Sequence, residues 1–107
     1  MLVADTFKAL GDPVRLEIIK RLSDGSMYTV GSVSNGLGLT LQGARKHLQV
    51  LVDVKLVSLQ NKGRQTEVTL SADTLIEAKL FISELELSWD KRLQALRKFI
   101  EGGDQSH

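Results

Sequence analysis

The spacing of apolar residues changes within the segment from Leu39 to Leu70, and this change decides most of what the chain can fold into. Over residues 41–53 apolar positions recur at intervals of three and four, which is typical of an amphipathic helix. From Val57 to Leu70 they alternate with polar residues on either side of a turn sequence at 61–65, which contains Gly63. The segment therefore predicts a short helix followed directly by a β-hairpin.

A helix-turn-helix is expected ahead of this hairpin. Thr29 can cap a weak helix over 30–36, whose glycines and serines favour helix so poorly that tertiary packing must hold it. Gly38 then provides a tight turn, and Thr40 can cap the helix over 41–53. Two short helices joined by a glycine-containing turn of three to four residues have the spacing of this motif.

The flanking segments are also helical. A short helix is expected over 4–10, and Asp12 with Pro13 forms a strong start for a helix over 13–23. The carboxylate can accept bonds from the free N–H groups of the first turn, and proline fits the first helical position. A last helix is expected over 72–101. The pattern predicts a mainly α fold with a β-hairpin wing.

The last helix is too long for the domain to cover. At roughly 1.5 Å per residue it measures about 45 Å, against a radius of gyration of ~13 Å for a globule of this length. Its first apolar stripe is Ile82, Leu85, Trp89, Leu93, Leu96 and Ile100, and its second is Leu80, Phe81, Leu87 and Phe99. We expect one stripe to pack on the domain's own core and the other to join a second copy, with Phe7 and the first stripe forming the dimer interface. The alternative is an isolated core helix with one exposed patch.

The net charge of +1 conceals an uneven distribution. Residues 1–24 carry four acids and four bases, residues 25–66 carry five bases and one acid, and residues 67–107 carry eight acids and five bases. The middle third, which holds the helix and the hairpin, is the net-positive part of the chain. This is the distribution expected of a face that binds phosphates, and a surface with uneven charge and no partner is the alternative.

The candidate nucleic-acid contacts lie on this basic segment. They are Thr40, Gln42, Arg45, Lys46 and Gln49 on the helix, and Lys62 and Arg64 at the hairpin turn. Arginine can read guanine bidentately and glutamine suits adenine, whereas the hairpin residues fit phosphates or a minor groove. The alternatives are a solvated helix face, a plain N-cap at Thr40 and a solvated hairpin tip.

Other function classes lack the residues that they need. The chain has no cysteine, and His47 has no nearby acid in the sequence, so no metal site and no cofactor are expected. No glycine-rich phosphate loop or nucleophile–base arrangement is present, so an enzyme is not expected. No run of 18 or more apolar residues and no signal peptide occur, which predicts a cytoplasmic protein that has no membrane partner.

Three segments, in this order, resemble ArsR-type winged helix-turn-helix transcriptional regulators, in particular the subset that lacks metal-binding cysteines. The segment 7–19 has the Asp-Pro-x-Arg opening, 40–51 is similar to the recognition helix with its Arg-Lys-His-Leu, and 89–96 looks like the C-terminal helix. The resemblance implies a dimeric regulator, usually a repressor, whose recognition helices enter the major grooves of a near-palindromic operator. Gly43 and Val52 depart from the family pattern.

We therefore expect one winged helix-turn-helix domain over 1–107, with a DNA-binding core over 4–71 and a dimerisation helix over 72–101. The expected function is that of a homodimeric repressor that binds double-stranded DNA without a metal. The alternatives are an activator or architectural DNA binder, and a winged-helix protein-interaction module that has lost DNA binding. The inducing signal is left open between a small molecule, another protein and the protein's own concentration.

Overall fold

Helices and a small antiparallel sheet alternate in the computed structural model, which describes residues 2–105. The elements are α1 Val3–Leu10, α2 Pro13–Leu22, β1 Tyr28–Thr29, α3 Val30–Val33, α4 Leu41–Asp53, β2 Val57–Lys62, β3 Gln65–Leu70 and α5 Ala72–Gln105. The predicted helices and the hairpin are all present. No helix within the described part of the chain combines the length and the hydropathy needed to cross a bilayer.

Helix α2 begins as the sequence predicts. Oδ1 of Asp12 accepts hydrogen bonds from the N–H groups of Val14 at 2.8 Å and Arg15 at 3.1 Å, with Pro13 in the first turn. The Arg15 N–H, followed by the Val14 N–H and the charge of Arg15, holds the pKa of Asp12 below its ordinary value of 3.8. The cap is thus strongest with the carboxylate ionised.

Helix α3 is shorter than expected: it covers Val30–Val33 rather than 30–36. Gly36 and Gly38 both have positive φ, near +79° and +70°, so the chain leaves the helix early and the turn before α4 is longer than three to four residues. A reciprocal capping box between Thr29 and Ser32 begins the helix. At its end, the Arg21 guanidinium donates to the carbonyl oxygens of Val33 at 3.0 Å and Asn35 at 2.7 Å.

The sheet has three strands in the order β1-β3-β2, because Tyr28 and Thr29 pair with Val68 and Glu67. The sequence pattern did not predict this short strand. The hairpin is also longer than expected: its strands run to Lys62 and Gln65, so the turn at its tip is Gly63-Arg64, with Gly63 at a φ of +62°. A glycine with positive φ at the first of two central positions is the pattern of a type II′ hairpin turn.

One hydrophobic core joins the helices to the sheet. Ile18, Val33, Leu48, Leu51 and Leu56 have no measurable exposure and lie at its centre. Leu41, which the spacing placed on the same face of α4 as Leu48, is 57% exposed because it stands at the very start of the helix. Leu48 and Leu51 therefore fix the side on which α4 packs.

Helix α5 extends away from this core. Thr74 and Ala78 are buried, but every described side chain from Lys79 to Glu101 is exposed. The prediction that one stripe packs on the domain's own core holds only near the start of α5, where the ring of Phe81 lies 5.8 Å from that of Phe7 on α1; beyond Phe81 it was wrong, because the core ends while the helix continues. The molecule measures 77 × 25 × 23 Å, with a radius of gyration of 20.4 Å. The helix also passes through Gly102 to Gln105 rather than stopping at 101, since glycine weakens a helix without preventing it.

Candidate nucleic-acid interface

The first turn of α4 is held by a side-chain cap. Oγ1 of Thr40 accepts a hydrogen bond from the N–H of Gly43 at 3.0 Å, as expected for an N-cap residue. The missing side chain at Gly43 leaves room for this hydroxyl, since a Cβ there would lie 3.3 Å from Oγ1. Gly43 therefore fits the cap geometry that begins the helix, at the cost in helix propensity of a glycine.

The last turn of α4 leads directly into the hairpin. Lys55 has a φ of +61°, and the N–H groups of Lys55 and Leu56 donate to the carbonyl oxygens of Val52 and Leu51, both at 2.9 Å. This is a Schellman motif, with lysine in the left-handed conformation that glycine adopts more readily. Oγ1 of Thr74 donates to the Lys55 carbonyl at 2.8 Å, which fixes the turn to the start of α5.

The outward face of α4 carries the predicted contact residues. Thr40, Gln42, Arg45, Lys46 and Gln49 are all exposed, while Ala44, Leu48 and Leu51 on the opposite face are fully buried. The helix is thus anchored on one side and displays hydrogen-bond donors on the other. Their exposure agrees with a role as contacts, and their roles stay predictions.

One of these donors is already engaged within the helix. Nε2 of Gln49 donates to Oδ1 of Asp53 at 2.8 Å, one helical turn further on. Asp53 was not among the predicted site residues, although its spacing of four from Gln49 could have indicated the pair from the sequence. The carboxylate lies on the same exposed side of α4 as Gln49.

His47 joins α4 to the start of α2. Its Nδ1 lies 3.1 Å from Nη1 of Arg15 and 4.0 Å from Oδ1 of Asp12, so the prediction of a histidine without a nearby acid was wrong. Asp12 lies far from His47 in sequence, and only the packing of α2 on α4 brings them together. Nε of Arg15 also donates to the carbonyl of Ala9, at the end of α1. Arg15 was missed because its contacts depend on tertiary structure.

The wing presents the second set of predicted residues. Lys62 and Arg64 are exposed, and Nζ of Lys62 lies 3.4 Å from Oε2 of Glu67 across the hairpin. Oγ1 of Thr66 donates to Oδ1 of Asn61 at 2.9 Å and stiffens the strands near the tip. In the described part of the chain, no hydrogen bond or ion pair joins these wing side chains to those of α4. The candidate interface thus consists of two separate parts on one rigid core.

A short helix, a longer helix with an exposed donor face and an antiparallel hairpin on one core define a winged helix-turn-helix domain. A family model for a helix-turn-helix domain matches residues 10–60. No curated protein matches the sequence.

Solved structures share this architecture. An ArsR-like transcriptional regulator from Rhodococcus is 27% identical, with a TM-score of 0.75 and 91% of each chain covered. Reduced HlyU from Vibrio cholerae is 28% identical, with a TM-score of 0.61 over 80% of this chain and 86% of that one. A homodimeric winged helix-turn-helix DNA-binding domain from Mycobacterium bovis, of a possible ArsR-family regulator, is 25% identical with a TM-score of 0.62 over 78% of each chain.

The chain therefore has a winged helix-turn-helix fold like that of the ArsR-type regulators to which it is similar. It contains no cysteine, as in the subset of this family that it resembles in sequence. In this architecture α3 and α4 form the helix-turn-helix, α4 is the recognition helix and the β2–β3 hairpin is the wing.

Proposed function

We propose that the chain is a sequence-specific DNA-binding transcriptional regulator, a homodimeric repressor that acts on a near-palindromic operator without a bound metal. The recognition helix would enter the major groove and the wing would contact the flanking backbone or minor groove. The proposed DNA contacts are those predicted from the sequence: Thr40, Gln42, Arg45, Lys46, Gln49, Lys62 and Arg64.

The two-sided environment of the recognition helix is the observation that carries this proposal. Leu48 and Leu51 have no exposed surface. Arg45 and Lys46, which precede them in the helix, are exposed to solvent. A helix anchored in this way can place long donors against base edges without moving its backbone. The similarity in fold to the DNA-binding domain from Mycobacterium bovis supports the same reading.

The exposed apolar surface of α5 supports a homodimer. Leu85, Trp89, Leu93 and Leu96 are between 46% and 59% exposed, on a helix that projects beyond the core. Large exposed apolar patches mark interaction sites in soluble proteins. Dimers of helix-turn-helix proteins read two half-sites about one turn of DNA apart, roughly 34–36 Å, and a twofold pairing through this stripe is proposed to do the same.

Selection from a random pool of duplex DNA with the purified full-length protein at low salt tests this function. The proposal predicts enrichment of an inverted repeat whose half-sites lie about ten base pairs apart, centre to centre. A folded dimer that enriches no sequence would contradict it and would favour the protein-interaction module.

A reporter promoter that carries the enriched repeat tests the direction of regulation. We expect transcription to fall when the protein is supplied. A rise in transcription would instead identify an activator, and an unchanged level would favour an architectural DNA binder.

A further inference from the structure

We propose that Asp53 is a positioning residue for Gln49: it holds the amide in one orientation, in which the recognition helix presents the amide oxygen and the one remaining N–H to the DNA. The inference rests on the proposed function and specifies how the recognition helix selects a base. Its consequence is a preference for adenine at the position that Gln49 faces.

Hydrogen-bond chemistry fixes which way the Gln49 amide points. The Asp53 carboxylate has acceptors only, so the atom 2.8 Å from its Oδ1 must be the amide nitrogen of Gln49. A bond to an ionised acceptor is stronger than one between neutral groups, which favours this orientation over the flipped one. Oε1 of Gln49 and the second N–H of the amide are then the groups that Asp53 does not engage.

The place of Asp53 in the chain supports a positioning role. It is the one acidic residue among residues 25–66, on a surface that is otherwise basic and would meet phosphates. Within residues 2–105, no lysine, arginine or histidine nitrogen lies within 4.0 Å of its carboxylate, and its side-chain hydrogen bond goes to Gln49. The negative charge of Asp53 would weaken DNA binding. Its hydrogen bond to Gln49, which orients the amide, gives the residue a role on this surface.

The orientation of the amide determines which bases it can recognise. A glutamine that reads adenine in the usual way uses its oxygen and its nitrogen together on one base. With one N–H bonded to Asp53, the oxygen can still accept from the amino group of adenine in the major groove while the second N–H donates to N7 of the same base. Cytosine can bond only to the amide oxygen, and guanine and thymine only to the N–H, so adenine is the base that engages both groups.

A comparison of base preference in the wild type, Gln49→Ala, Asp53→Ala and Asp53→Glu tests this inference. The selected repeat is first mapped with Gln49→Ala to find the position in each half-site at which preference is lost. Dissociation constants are then measured, at one salt concentration, for duplexes carrying each of the four bases there. We expect the wild type to prefer adenine over the other three bases by about tenfold.

The variants at position 53 separate orientation from charge. Asp53→Ala removes a negative charge and should tighten binding to all four duplexes, while the preference falls to less than about threefold. Asp53→Glu keeps an acceptor within reach and should retain the preference. A full preference in Asp53→Ala, a wild-type preference for a base other than adenine, or no position that responds to Gln49→Ala would overturn the inference. A wild type that enriches no sequence at all would contradict the proposed function, and with it this inference.

Discussion

The guanidinium of Arg15 lies 3.1 Å from Nδ1 of His47, and this contact joins the start of α2 to the recognition helix. Because arginine can only donate, Nδ1 of His47 accepts the bond. The same guanidinium donates through Nε to the carbonyl of Ala9, at the end of α1. One half-buried side chain therefore holds three helices together and sets the position of α4 against the core.

Replacement of Arg15 should destabilise the fold although the residue is not itself a proposed DNA contact. Arg15→Met keeps most of the apolar stem and removes both side-chain hydrogen bonds. We expect the free energy of unfolding to fall by about 1.5–3 kcal/mol, the range for hydrogen bonds to a charged group. Urea denaturation at a fixed protein concentration measures this free energy. The control is Lys20→Met, which replaces an exposed cation of the same helix. Equal stability of the two variants would show that the Arg15 contacts contribute little.

Gly43 and Thr40 should be coupled energetically. Alanine is favoured over glycine in a helix by about 1 kcal/mol, but a Cβ at position 43 lies 3.3 Å from the capping hydroxyl. In the wild-type background we expect Gly43→Ala to stabilise by less than about 0.5 kcal/mol, and in the Thr40→Ala background by the full ~1 kcal/mol. Urea denaturation of the four proteins of this cycle measures the coupling. The same gain in both backgrounds would mean that Gly43 is unrelated to the cap.

Opposite faces of α5 should differ in their effect on assembly. Leu96 and Leu87 are 56% and 57% exposed, yet nine residues separate them, which is about half a turn around the helix. We expect Leu96→Glu to give a monomer, because it places a charge in the apolar stripe, and Leu87→Glu to remain a dimer. Sedimentation at several concentrations distinguishes these states. A monomeric Leu87→Glu, or a dimeric Leu96→Glu, would move the interface away from this stripe.

The wing should contribute mainly through charge. Lys62 lies 3.4 Å from Glu67 and is still exposed, so it can reach a phosphate. Lys62→Ala should weaken binding to all sequences alike and reduce the slope of log K against log salt by about one unit per protomer. Anisotropy titrations over a range of salt give the slope, with Lys91→Ala on α5 as a control that removes the same charge. An unchanged slope for Lys62→Ala would remove the wing from the interface.

Much of the architecture was predictable because local patterns determine it. Asp12 and Pro13 begin α2, the spacing of Leu48 and Leu51 fixes the buried face of α4, and Gly63 supplies the positive φ of the hairpin turn. Each of these signals lies within a few residues of the structure that it produces. The predicted class of fold was therefore confirmed.

The missed features depend on residues that meet only after folding. Strand β1 is two residues long and exists through its pairing with β3, about 40 residues away in sequence. Arg21 ends α3 by binding carbonyl groups more than ten residues away, and Arg15 binds a histidine on another helix. The exposure of α5 depends on where the core ends. The spacing of its apolar residues does not indicate that point.

We propose that Arg45 and Lys46 are the central DNA contacts of the recognition helix. Fluorescence anisotropy with a duplex carrying the selected repeat tests this proposal most directly, comparing the wild type with Arg45→Ala/Lys46→Ala and with Lys91→Ala/Lys98→Ala, which removes the same charge from α5. We expect the recognition-helix variant to lose at least about a hundredfold in affinity and most of its preference over a scrambled duplex, since each good base contact contributes about 1–3 kcal/mol. The α5 variant should bind as the wild type does. Wild-type affinity and preference in Arg45→Ala/Lys46→Ala would contradict the account.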